Sequence, residues 1–230
     1  MNDSAPAPDA PTVLLAGASG LIGRALLEAL LAPTRSERVV VLARRPLASD
    51  RTRDARVSVR VGDMATLAAD ARGARDVCIA LGTTIKVAGS QAAFRAVDFD
   101  LVVQVARAAR SAGARRLAVV SALGADARSR VFYNRVKGEA EQVLATLGYE
   151  SLVIARPSLL LGDRAALGQP TRRGEVLAAR LLGPVLGWVP ASVRPIAAGV
   201  VAKAMLVALD EGRPGTRVLS SAELQRLGRA

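Results

Sequence analysis

Val13-Leu14-Leu15-Ala16-Gly17-Ala18-Ser19-Gly20-Leu21-Ile22-Gly23 is the stretch on which the fold turns. Thr12 to Ala16 is a short apolar run, the pattern of a strand buried on both faces. It breaks into three glycines spaced three apart, and Leu21 to Leu31 then reads as a helix. Strand, glycine turn and helix N-terminus together suit a dinucleotide pyrophosphate. The turn offers backbone N–H groups and the positive end of a helix dipole, and glycines let the phosphates approach without a Cβ in the way. The spacing is G-x-x-G-x-x-G, not the commoner G-x-G-x-x-G. The alternative is an ordinary βα turn of any α/β domain; the position directly after the first strand favours the nucleotide.

Working outward, Arg38 to Ala43 is a second buried strand that stops at Arg44-Arg45-Pro46, where proline forbids continuation. An NAD-binding chain places a carboxylate about 20 residues past the glycines to accept the ribose hydroxyls. Here two guanidinia stand instead. A guanidinium clamps a 2′-phosphate that a carboxylate would repel, so the expected cofactor is NADP(H). The other reading is two solvated arginines in an arginine-rich chain.

Further strands follow at Val57–Val61, Asp76–Leu81, Arg116–Ser121 and Ser151–Ala155, with Val218-Leu219 as an edge. Asp63-Met64 after the third is either an adenine contact or a helix N-cap. Leu81-Gly82-Thr83 ends a central strand, where small polar residues face the ligand crevice of a doubly wound sheet. Ile85 to Ser90 reads as a loop, and Ala92 to Ala112 as one long helix ended by Gly113. A helix starting near Val131 carries Tyr133 and Lys137, which share a face at i and i+4. A phenol titrates near 10, too high for acid–base work at neutral pH, and a neighbouring cation lowers it. A chance surface pair is the alternative.

The expected fold is therefore α/β, a doubly wound parallel sheet. Residues 12–230 form a single domain, with 159–230 as a C-terminal substrate or partner region and 1–11 as a Pro/Ala-rich, disordered tail. Leu177 to Trp188 is apolar but interrupted by Arg180, Gly183, Pro184 and Gly187, so it does not span a membrane. It lines a pocket, docks a partner or closes the core. Ala197 to Asp210 reads as an amphipathic helix and 221–228 as a last short one.

Composition narrows the function. The chain has 230 residues, a net charge of +12 and only three lysines, Lys86, Lys137 and Lys203. Its arginines are scattered and aromatics are 3% of the residues, too few to stack single-stranded bases, so nucleic acid is not the expected partner. There are no histidines, which excludes His-based triads and most zinc sites; no metal site is expected. Cys78 is the one cysteine, in an apolar run, and forms no disulfide within the chain. Residues 1–11 lack the basic start and apolar core of a secretory signal. With the lone thiol, this leads to an expected cytoplasmic location.

Gly17-x-x-Gly20-x-x-Gly23, Arg44-Arg45, Leu81-Gly82-Thr83-Thr84, Ser121-x-x-Gly124-Ala125-Asp126, Phe132-Tyr133-x-x-Val136-Lys137-Gly138-Glu139 and Arg156-Pro157-Ser158 occur in this order. Together they resemble the atypical short-chain dehydrogenase/reductase group that includes the Tat-interacting, oxidoreductase-like proteins, over about residues 12 to 163. The resemblance implies a Rossmann fold and NADP(H) held by Gly17, Ser19, Gly20, Leu21, Ile22, Gly23, Arg44, Arg45, Asp63, Met64, Leu81, Gly82, Thr83, Lys137, Arg156, Pro157 and Ser158. It implies Tyr133 as general acid/base, Lys137 on the nicotinamide ribose and Ser121 on the substrate carbonyl. One departure stands out. Relatives often carry two serines at the strand end, the second making the carbonyl contact, and here that position is Ala122.

Two functions follow. One is NADP(H)-dependent hydride transfer to or from a small carbonyl or alcohol. The other is an NADP(H)-binding sensor or scaffold with a protein partner and little turnover. Tyr133 and Lys137 favour the enzyme, and Ala122 favours the sensor. The chain is a monomer or a homodimer on either reading.

Overall fold

Apolar side chains on both faces of the strands call for a parallel sheet covered on both sides. The computed structural model, which describes residues 11–47, 50–161, 190 and 192–229, contains that sheet. Its strands are β1 (Thr12–Ala16), β2 (Arg38–Ala43), β3 (Val57–Val61), β4 (Ala74–Ile79), β5 (Arg116–Val120), β6 (Ser151–Arg156), β7 (Leu160–Leu161), β8 (Ile196–Ala197) and β9 (Gly215–Ser220). Seven of them form one sheet in the order β3-β2-β1-β4-β5-β6-β9, every neighbouring pair parallel, and β7 pairs with β8 apart from it. Chain order reverses direction between β1 and β4, which opens a crevice beyond their carboxyl ends.

Alternation within each strand sorts the core into two layers. Val13, Leu15, Val39 and Val41 pack with α1 (Leu21–Leu30) and the C-terminal helices. Leu14, Ala16, Val40 and Leu42 pack on the other side with α2 (Met64–Ala69) and α5 (Val102–Ser111). Between α2 and α5 lie α3 (Ile85–Ala88) and α4 (Gln91–Arg95). After α5 come α6 (Phe132–Ala145), α7 (Ala198–Asp210) and α8 (Ser221–Arg229). The fold class agrees with the sequence. Among the described residues no helix is long and apolar enough to cross a membrane.

Four local features differ from the sequence reading. The long helix runs from Gln91 to Ser111, but Ala96–Leu101 is a π turn between α4 and α5. The segment read as a loop holds α3, one helical turn capped by Thr84, whose hydroxyl accepts the Val87 N–H, and closed by left-handed Gly89. β4 ends at Ile79, two residues early, so Ala80–Thr83 are open chain at the crevice. α7 is buried over most of its surface, because α1 and α8 pack on either side of it. The apolar segment Leu177–Trp188 and all of the expected tail 1–11 but Pro11 lie outside the described residues; the Pro11 carbonyl accepts the Arg38 N–H at 3.0 Å.

Candidate dinucleotide site

The glycine turn is held by its own packing. Gly17 has φ +96°, and a Cβ there would stand 2.5 Å from the Ala80 carbonyl oxygen. A Cβ at Gly23 would fall 2.0 Å from the Gly17 oxygen. These two glycines are demanded by the contact of turn, strand exit and helix. Gly20 differs: a Cβ there meets nothing nearer than the Gly17 oxygen at 3.5 Å. It is the N-cap of α1 and lines the crevice without a side-chain cap, and no acidic residue occupies the first turn. Ile22 is buried in the core and Leu21 packs against it. What Leu21 and Ile22 offer a ligand is the N–H groups of the first turn, which lack intrahelical acceptors. The dipole of a ten-residue helix thus ends at an open wall.

The crevice has a volume of about 610 Å³ and lies where the exits of β1, β2 and β4 meet. Ala18, Ser19, Met64, Leu81, Gly82 and Thr83 line it, as do Val87 and Ala88 of α3 and Val97 of the π turn. Arg44 and Arg45 form one end. Both are exposed, and among the described residues neither makes an ion pair. Among the described residues no carboxylate lines the crevice.

Ala93, Val97 and Leu101 of the long helix also line the crevice, and α6 packs against the π turn. Lys137 is 5% exposed, and its Nζ lies 2.7 Å from Oδ1 of Asp98, itself 1% exposed. The second Asp98 oxygen accepts the Thr83 N–H at 2.8 Å. A Cβ at Gly82 would sit 3.3 Å from Asp98 Oδ1 and 3.7 Å from Lys137 Nζ, so the ion pair packs directly on this glycine of the crevice wall. Tyr133, one turn before Lys137, rests its ring on fully buried Phe94, centroids 5.3 Å apart. The Tyr133 hydroxyl makes no hydrogen bond among the described residues.

Other expected contacts are used elsewhere. Ser121 stands at the exit of β5, where its N–H donates to the Ala155 carbonyl, but its hydroxyl donates to Glu141 on α6. Glu141 is buried and also takes both Arg156 donors, Nε at 3.0 Å and Nη2. Arg156 is therefore an internal counter-ion rather than a wall of the crevice. Pro157 accepts the Leu123 N–H, and Ser158 donates to the Arg194 carbonyl and accepts from Ser221 at 2.9 Å. Asp63 caps α2: one oxygen accepts both the N–H and the hydroxyl of Thr66, and these bonds hold its carboxyl below the usual range. It is the cap and not part of the crevice wall. The structure brings together the glycine turn, the arginine pair, Met64, Leu81–Thr83 and Lys137. It takes Ser121, Asp63, Arg156, Pro157 and Ser158 for internal bonds.

Asp98 and Glu141 were not among the expected site residues. Asp98 sits in Val97-Asp98-Phe99-Asp100, where two acids two apart read as a solvated helix face. The signal that distinguishes it is its seat in the apolar flank facing the sheet, and the π turn shifts that flank by one residue. Glu141 follows Lys137 by four, a spacing that reads equally as an exposed pair.

Residues 17–178 match the NAD(P)H-binding family. The mitochondrial protein FMP52 of Eremothecium gossypii is 34% identical over 229 residues, 93% of this chain and 96% of that protein. Protein HTATIP2 of Rattus norvegicus is 34% identical over 199 residues, 85% of this chain and 79% of that protein. The Bordetella bronchiseptica enzyme WbmG, solved in complex with NAD, superposes with a TM-score of 0.68 at 20% identity, covering 98% of this chain and 78% of that one. Such a likeness shows the fold alone. Several relatives are named as mitochondrial, which overturns the cytoplasmic location expected from the sequence. The missing secretory pattern separates secretion from its alternatives and does not choose among them. With a family match over most of its length and relatives at a third identity, the chain belongs to the NAD(P)H-binding Rossmann family, among the atypical short-chain dehydrogenase/reductase-like proteins.

Proposed function

We propose that this protein is an NADP(H)-dependent oxidoreductase acting between a small carbonyl compound and its alcohol. The observation that carries the reading is the composition of the crevice among the described residues: a helix N-terminus without a side-chain cap, two guanidinia without an ion pair, no carboxylate on the wall, and a buried ammonium packed against Gly82 of that wall. The first turn of α1 would hold the pyrophosphate, and Arg44 and Arg45, whose guanidinium forks match phosphate oxygens, would hold the 2′-phosphate. The cofactor, when bound, supplies or accepts the hydride.

The chain's own part is proton and charge handling. Tyr133 gives its hydroxyl proton to the carbonyl oxygen as the carbon is reduced, and takes it back in the reverse direction. Among the described residues no group holds its hydroxyl. Lys137 carries the positive charge that steadies the phenolate, and it would hold the ribose hydroxyls of the cofactor. Ser121 is held by Glu141, so the second hydrogen bond to the substrate comes from Thr83, whose hydroxyl has only a 3.5 Å contact with the Thr84 carbonyl.

Calorimetric titration with NADPH and NADH, followed by a carbonyl panel read at the NADPH absorbance, tests the reading. NADPH should bind at least tenfold tighter than NADH, and Arg44→Asp should erase that preference. Tyr133→Phe should bind NADPH as wild type does and lose 10²–10⁴-fold in turnover, the span of general acid–base catalysis. Equal affinities would remove the NADP assignment. A fully active Tyr133→Phe would remove the proton-transfer role, and tight binding with no turnover would give the protein to the sensor class.

A further inference from the structure

The loop at residues 122–131 runs from Ser121, at the exit of β5, to the first turn of α6, which carries Tyr133. Its backbone is fixed at many points. Ala125 donates its N–H to the Ala122 carbonyl, Ser129 to the Asp126 carbonyl and Asp126 to the Asn134 carbonyl of α6. The Asp126 carboxylate accepts the Arg128 N–H at 2.9 Å, and the Ser129 hydroxyl accepts the Val131 N–H at 3.1 Å. A Cβ at Gly138 would stand 2.1 Å from the Ala127 nitrogen, so the loop lies directly on α6 at the residue after Lys137. At about 100° per residue, that is the flank beside the face of Tyr133 and Lys137. Four side chains of this fixed loop face water. Arg128 and Arg130 are exposed, and among the described residues neither guanidinium has a hydrogen bond or an ion pair. Leu123 and Val131 are 43% and 59% exposed. Arginine is common in this chain, but the neighbouring guanidinia are spent: Arg95 on Glu139, Arg156 on Glu141 and Arg135 on the Ser129 carbonyl. The loop's one acid, Asp126, is turned to the loop's own backbone.

We propose that this loop selects the substrate: Arg128 and Arg130 hold an oxyanion, a carboxylate or a phosphate, on a carbonyl compound whose carbon body lies on Leu123 and Val131. The substrate class is then the oxo acids or the phosphorylated aldehydes and ketones, not neutral carbonyls. A guanidinium presents paired N–H donors that match two oxygens of either anion, and the apolar carbon beside it gains from contact with the rest of the molecule. Two free cations on a backbone that needs no further ordering hold an anion at less entropic cost than the same cations on a loose chain. The carbonyl in this proposal rests on the oxidoreductase reading, and the anion rests on the loop alone. Neither arginine touches the reacting atoms, so their effect belongs in KM. Because both are exposed, salt should screen it.

Matched carbonyl pairs test the proposal: benzaldehyde against 4-carboxybenzaldehyde, and glyceraldehyde against glyceraldehyde 3-phosphate, each with NADPH. In at least one pair the charged member should have a kcat/KM about tenfold higher, carried by KM and reduced by added salt. The pair with the larger gap separates carboxylate from phosphate. In Arg128→Ser/Arg130→Ser the ratio of charged to neutral substrate should fall to about one. Equal kcat/KM within both pairs, or a double variant that keeps the preference, overturns the proposal. A second arm needs neither turnover nor cofactor. Phenylglyoxal labelling, read by peptide mass spectrometry, should modify Arg128 and Arg130 about threefold more slowly with benzoate or inorganic phosphate present, and exposed Arg107 of α5 at the same rate as without. Labelling that neither anion slows overturns the anion site, whatever the protein reduces. Slowed labelling beside equal kcat/KM leaves a surface contact with anions and overturns the selection. If nothing in the panel is reduced, the oxidoreductase reading falls, and the labelling arm still decides the anion site.

Discussion

At the scale of single residues, the three glycines of the first turn have different duties. Gly17 and Gly23 are excluded from carrying a Cβ by backbone atoms 2.5 and 2.0 Å away, so substituting them damages the fold itself. Gly20 has room for a Cβ in the protein and none once a phosphate sits on the N-terminus of α1. Gly20→Val should therefore keep the circular dichroism spectrum of wild type and lose NADPH binding by at least a hundredfold. Normal binding by a folded Gly20→Val protein would show that the pyrophosphate lies elsewhere. The turn and the arginine pair are legible in the sequence because their meaning comes from spacing along one strand–helix unit. Asp98 is not, because its meaning comes from Lys137, 39 positions on, and from a helix thickened by one residue. Ser121 shows the converse. Its place at the exit of β5 is legible, but the hydroxyl's direction depends on Glu141 of another element.

At the scale of elements, β4 and β5 are joined by more than their ladder. Asp76 and Arg116 are direct partners in the register, and the carboxylate takes Nε and Nη2 of the guanidinium, each at 2.5 Å. Both are largely buried, with side chains 5% and 13% exposed. Breaking such a pair leaves one charge stranded in a low dielectric and costs about 3–5 kcal/mol. Asp76→Asn should lower the urea midpoint accordingly, and Asp76→Leu/Arg116→Met should recover most of it, since no buried charge is left behind and Arg75, the carboxylate's other neighbour at 3.4 Å, is exposed to water. A single variant as stable as wild type would mean that water reaches the pair. The strands themselves are legible from runs of Val, Leu and Ala, because burial on both faces leaves them nothing polar to hide. α3 is not, because one turn of helix carries no period and rests on its two caps, Thr84 and Gly89.

At the scale of the molecule, the charge balance decides how stability responds to alkali. Cys78 sits in the middle of the sheet, and burial first, then the nearby Asp76 carboxylate, pushes its thiol up to about 12. Burial likewise raises Tyr149, whose hydroxyl donates to the Ala106 carbonyl at 2.7 Å. In the unfolded chain the thiol ionises near 8.5 and the phenol near 10. Above about pH 9 the unfolded state thus releases protons that the native state keeps. Stability is whole below that pH and falls as pH rises toward 12, by about 1.4 kcal/mol per unit for each such group. In most proteins the loss of lysine charge in this window relieves self-repulsion and masks the effect. Here 32 basic residues include only three lysines, so the net charge of +12 changes little before arginine titrates and the decline stays visible. The urea midpoint should be flat from pH 6 to 8 and lower at pH 10. Cys78→Ala should start less stable, because it leaves a small cavity, yet lose less between pH 8 and 10 than wild type does. The native thiol should also react with a disulfide reagent at pH 8 only as fast as the protein opens. An equal slope in Cys78→Ala would move the alkaline weakness to Tyr149, and Tyr149→Phe would then be the variant that flattens it.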